Sequence, residues 1–74
     1  MDCSKWPAPA GMRWRGAPVG ATLCHGGNAR AIIVPETPRA WNGRARYTVD
    51  AIGLRTAQHV RTLAEALQIA IANA

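Results

Sequence analysis

Strict alternation of apolar and polar positions marks the clearest element of the chain. In RARYTVDA (44–51), Ala45, Tyr47, Val49 and Ala51 share one parity, and Arg44, Arg46, Thr48 and Asp50 take the other. Successive side chains of a strand point to opposite faces, so the segment predicts a half-buried strand. Gly53 marks a turn, and LRTAQHVR (54–61) follows as its partner. An even loop sets Asp50 opposite Arg55, Arg46 opposite His59 and Arg44 opposite Arg61, whereas an odd loop with a bulge scrambles the two faces.

Upstream, VGATLCHGGNARAIIV (19–34) holds two β-rich runs around Gly26-Gly27. Glycines supply the positive φ angles of tight hairpin turns, so this segment predicts a hairpin. The prolines of PETP (35–38) stop its second strand, because proline donates nothing to a ladder. Asn42-Gly43 is a strong turn signal. Either residues 39–41 form a strand stub before it, or the turn launches the next strand.

Thr62-Leu63-Ala64-Glu65 reads as a capping box, in which the hydroxyl takes a backbone N–H and the glutamate reaches back. The run LAEALQIAIANA then predicts a helix with Leu63, Ala66, Leu67, Ala70 and Ile71 along one stripe. A helix this short is marginal alone, so it must dock. The matching surface carries Tyr47, Val49, Leu54 and Val60.

Residues 1–12 hold Pro7, Pro9 and Gly11 and read as an extended arm. MRWRG (12–16) is a candidate short edge strand. The expected fold is therefore α+β, an antiparallel three- to four-stranded meander sheet with one C-terminal helix packed on one face. One domain spans 1–74: an arm over 1–18, the sheet over 19–61 and the helix over 62–74.

Composition changes this picture in two ways. The chain has 74 residues, 49% of them apolar, yet no Phe. A domain of this size buries only about 60% of the surface its unfolded form exposes. The core is thin, so Trp6, Trp14 and Trp41 are wanted as packing residues, while Trp14 and Trp41 are also candidate interface anchors if exposed. The net charge is +5, with eight Arg and one Lys against four carboxylates. That balance favours anionic partners: DNA, RNA, a nucleoprotein or an acidic protein surface. Arginine in particular can donate two parallel hydrogen bonds to a phosphate or carboxylate.

The charge gathers in RAWNGRARYTVDAIGLRTAQHVR (39–61). Arg44, Arg46, Arg55, His59 and Arg61 are the candidate partner-binding residues, as a basic face across two neighbouring strands. Like charges opposite one another cost free energy unless an anion lies between them, which is the case for a working surface. A one-sided sheet must also show polar residues to water, so a solvated back remains the alternative. Tyr47 has the wrong parity to stack beside these arginines on nucleic-acid bases.

Catalytic chemistry finds no footing. No segment carries paired carboxylates, no GK[ST] follows Gly26-Gly27, and Cys24 and His25 point to opposite faces if both lie in a strand. Cys3, Cys24, His25 and His59 lack the close spacing of a structural zinc site. No enzyme, no metal and no cofactor are expected. Two cysteines are few for a small secreted domain, and there is neither a signal-peptide pattern nor an apolar run long enough to span a bilayer. The expectation is a cytoplasmic protein with free thiols and no membrane partner.

Two resemblances sharpen the functional expectation. RARYTVD…LRTAQHV followed by TLAEAL resembles the N-terminal arm-binding domain of tyrosine recombinases, in which a sheet enters the DNA major groove. That resemblance implies phosphate and base contacts by Arg44, Arg46, Arg55 and Arg61. In kind rather than by motif, the chain also resembles small single-domain proteins of phages and mobile elements, anti-CRISPR proteins among them. These act by covering a surface of an effector complex. The expected function is a non-enzymatic inhibitor of a bacterial CRISPR effector complex, acting by occupancy in the cytoplasm of a bacterial host cell. A small DNA- or RNA-binding protein is the alternative. An outer strand also offers an edge for a homodimer.

Overall fold

The computed structural model describes residues 3–36 and 46–74. Five strands follow in chain order: β1 (Met12–Gly16), β2 (Ala21–His25), β3 (Asn28–Pro35), β4 (Tyr47–Ala51) and β5 (Gln58–Val60). The helix α1 (Leu63–Asn73) comes after them. All pairings are antiparallel, and the sheet order is β1-β2-β3-β4-β5, a meander. The expected three to four strands thus become five. MRWRG is a full member of the sheet, with all five of its residues paired to β2, so the arm ends at Gly11.

Gly26 and Gly27 form the two-residue turn between β2 and β3, with φ of 57° and 86°. Two successive positive φ angles match the right-handed twist of the flanking strands. The register then slips: Leu23 faces Ala31 but Cys24 faces Ala29, which leaves Arg30 as the extra residue of a β-bulge. Pro35 ends β3 opposite Tyr47, and Glu36 N still donates to Arg46 O at 2.7 Å. The Asn42-Gly43 turn and the strand stub over 39–41 lie outside the described residues.

β4 keeps its expected alternation, with Val49 and Ala51 buried and Asp50 exposed. Its pairing with β5 differs from the sequence expectation by two residues. Tyr47 faces Val60, Thr48 faces His59, and Val49 faces Gln58. Leu54 is the cause: it packs against the core from the loop, and its N–H bonds to Ala51 O at 3.0 Å, so β5 starts only at Gln58. A slide of two preserves both faces but changes every cross-strand neighbour.

Thr62 caps α1, its Oγ1 accepting from Glu65 N at 3.2 Å. The Glu65 carboxylate meets the same hydroxyl at 3.2 Å rather than the Thr62 backbone. Ala66 and Ala70 are completely buried, and their small side chains let the helix lie close to β4, β3 and β5. Leu63, Leu67 and Ile69 complete that contact, so Ile69 takes the place expected of Ile71 in the core cluster.

The arm covers the rest of this face. Trp6 and Trp14 meet edge to face, with ring centroids 5.1 Å apart, and Trp14 Nε1 donates to Pro7 O at 2.8 Å. Cys3 is buried beside them. Trp14 therefore sits in the covered layer at 8% exposure with its polar atom satisfied, as a packing residue and not a surface anchor.

Candidate functional site

One face of the sheet is covered and the other stands open among the described residues. The register sorts the open face into rows. Arg15, Thr22, Ile32 and Asp50 lie side by side across β1 to β4. Val34, Thr48 and His59 form a second row across β3 to β5. Arg13 faces Cys24 at the outer edge. Ile32 is 40% exposed and Ile52 is 63% exposed, although both are large apolar side chains. They line a shallow depression of about 370 Å³ together with Thr22, Arg30 and Asp50.

At one end of this face Glu36, the residue after β3, forms a hydrogen-bonded chain with Thr48 of β4 and His59 of β5. The Thr48 hydroxyl donates to Glu36 Oε1, and His59 Nδ1 lies 3.0 Å from the same Oγ1. His59 Nδ1 and Glu36 Oε1 are 3.9 Å apart, an ion pair when the imidazole is protonated.

The sequence-derived basic residues are only partly brought together. Arg46 precedes β4, is exposed, and has its backbone N–H bonded to Val60 O at 2.8 Å. His59 faces Thr48 instead of Arg46. Arg55 lies in the loop between β4 and β5 and is not a cross-strand partner of Asp50, whose Oδ1 accepts from Ala51 N. Arg61 is exposed between β5 and α1. Arg44 and Trp41 lie outside the described residues.

Sequence reasoning missed Arg13 and Arg15. The signal was present, because MRWRG alternates Met12 and Trp14 with these two arginines. Their cross-strand neighbours are Cys24 and Thr22, so no carboxylate faces them across the pair. Among the described residues no arginine forms an ion pair with a carboxylate, and no three side chains of His, Cys, Asp or Glu gather as metal ligands. No helix there is long and apolar enough to cross a membrane.

Fold and site together define an α+β protein with an antiparallel meander sheet, one C-terminal helix and a one-sided polar face. No family model, curated protein or solved structure matches the chain.

Proposed function

We propose that the protein is a non-enzymatic binding protein that acts by occupancy, laying its open sheet face over a surface of a bacterial nucleoprotein complex. A CRISPR effector subunit is the target favoured by the resemblance in kind. The observation that carries this reading is the placement of exposed Ile32 at the centre of the open face, in one row with Arg15, Thr22 and Asp50. An apolar centre ringed by polar groups and arginine is the usual anatomy of a protein interface. The net charge of +5 adds attraction for an acidic subunit or for nucleoprotein.

Gel filtration of the protein with purified CRISPR effector complexes, paired with target-DNA cleavage, tests this. Co-elution with loss of cleavage is expected, and Ile32→Glu should abolish both while the far-UV circular dichroism stays unchanged. Full binding by that variant would overturn the reading.

Direct binding of DNA or RNA is the second reading, favoured by the exposure of Arg46, Arg55 and Arg61 without carboxylate partners among the described residues. Fluorescence anisotropy with duplex and single-stranded probes across a salt series separates the two. Phosphate contacts make the logarithm of affinity fall linearly with the logarithm of salt, and Arg46→Ala with Arg61→Ala should flatten that slope by roughly 1 to 2.

A further inference from the structure

β1 is the longer edge of the sheet, with five residues against three in β5. A sheet edge presents alternating N–H and C=O groups that lack ladder partners. Among the described residues the arm does not extend the sheet past β1, because its backbone bonds are local: Trp6 N to Cys3 O at 3.1 Å and Met12 N to Pro9 O at 3.0 Å. Trp14, buried at the middle of the strand and tied to Pro7, holds this edge in place. On either side of it Arg13 and Arg15 are exposed and share the open face.

Three occupants can be weighed by chemistry. A nucleic-acid strand offers phosphate acceptors to the arginines but has no backbone that alternates donors and acceptors at the spacing of a strand. A peptide strand complements both kinds of backbone group. A second copy of this chain would supply such a strand. However, antiparallel pairing centred on Trp14 sets Arg13 of one copy against Arg15 of the other, twice over. In-register parallel pairing sets each arginine against itself, and like charges directly across strands are unfavourable. An extended segment with acidic side chains at positions i and i+2 has neither fault. Residues two apart on a strand are spaced by about 6.6 Å on one face, which matches the step from Arg13 to Arg15.

We propose that the β1 edge docks an extended acidic segment of a protein partner, which joins the sheet as a further strand and sets two carboxylates against Arg13 and Arg15. The inference rests on the binding-protein reading for the class of partner, and it names that partner's contact segment.

The test is a titration of the whole, isotope-labelled protein, followed by amide NMR, with the blocked peptides TEVEVT, TQVQVT and TKVKVT. The glutamate peptide should shift the amides of residues 12–17 and bind about fivefold more tightly than the glutamine peptide. Arg13→Glu with Arg15→Glu should transfer the preference to the lysine peptide. Arg13→Gln with Arg15→Gln should erase the preference and serves as the control should the charge reversal disturb folding. Equal binding of all three peptides, or shifts confined to the surroundings of Ile32, would overturn the proposal. So would β1 amides that respond to a duplex oligonucleotide in place of peptide, or that broaden with protein concentration alone. Since the probes are synthetic, a docked glutamate peptide with no effector bound would topple the effector reading and leave this inference standing. Effector binding without peptide docking would do the reverse.

Discussion

Arg30 Nε donates to the carbonyl oxygen of Ala74 at 2.9 Å, which ties the β3 bulge to the end of the helix. Gly53 N donates to the neighbouring Asn73 O at 2.8 Å. The last carbonyls of a helix have no partners within it and carry its negative dipole end. No basic residue lies in the last turn of α1, so the sheet supplies the cation. The residue left over by the bulge becomes the clamp.

Replacing Arg30 by Ala should cost about 1 kcal/mol, since a half-buried charged donor is lost from a helix end. For a domain of this size that corresponds to a fall in Tm of roughly 4–8 °C. Arg30→Lys should recover part of it. A thermal melt within a degree of the parent would remove the clamp from the account.

The two faces differ in what a truncation costs. Leu23 is completely buried, and Leu23→Ala should cost roughly 2–5 kcal/mol, comparable with the whole stability of so small a domain. Ile32→Ser on the open face should cost less than about 1 kcal/mol and should act on partner binding instead. Urea titrations of the two variants decide the matter, and equal midpoints would mean that the open face carries as much of the stability as the buried one.

Gly20 combines two constraints. Its φ is 93°, and a Cβ there would lie 2.6 Å from the carbonyl oxygen of Ile33. Backbone cannot step aside as a side chain can, so Gly20→Ala should cost at least about 2 kcal/mol, and pairing at the start of β2 should loosen. Amide exchange at Ala21 and Thr22 reports that loosening, and parent-like protection would contradict it.

Thr62→Ala removes the side-chain acceptor of the Glu65 N–H at the start of α1 and should cost about 1 kcal/mol. Thr62→Asp, which keeps an acceptor and adds a charge favourable at a helix N-terminus, should stay close to the parent. Faster exchange of the Glu65 amide in Thr62→Ala alone is the diagnostic result.

The parts of the fold legible in the chain were those set by local chemistry. Gly26-Gly27 announced its turn through the φ angles it had to adopt, and Thr62 with Glu65 announced the helix start. Tyr47, Val49 and Ala51 declared their face by alternation alone. What escaped depends on tertiary competition. Leu54 carries a strand-like neighbourhood but is drawn into the core, and this moved the β4–β5 register by two residues. The bulge at Arg30 leaves no composition signal, because the turn and the strand pattern both look regular without it. For the candidate site, the arginines of 44–61 drew notice by number, while Arg13 and Arg15 on a five-residue strand did not. The chain of Glu36, Thr48 and His59 was invisible for the same reason as the register, since it exists only once β3, β4 and β5 are aligned.

The meander also fixes the sequence of events during synthesis. Each hairpin can close as soon as its second strand leaves the ribosome, because every strand pairs with the next one in the chain. The cover over β3 and β4 comes later, for α1 follows all five strands. Until it arrives, Ile33 and Val49 face water on a finished sheet. That interval is when the nascent chain is most exposed to chaperones and to aggregation.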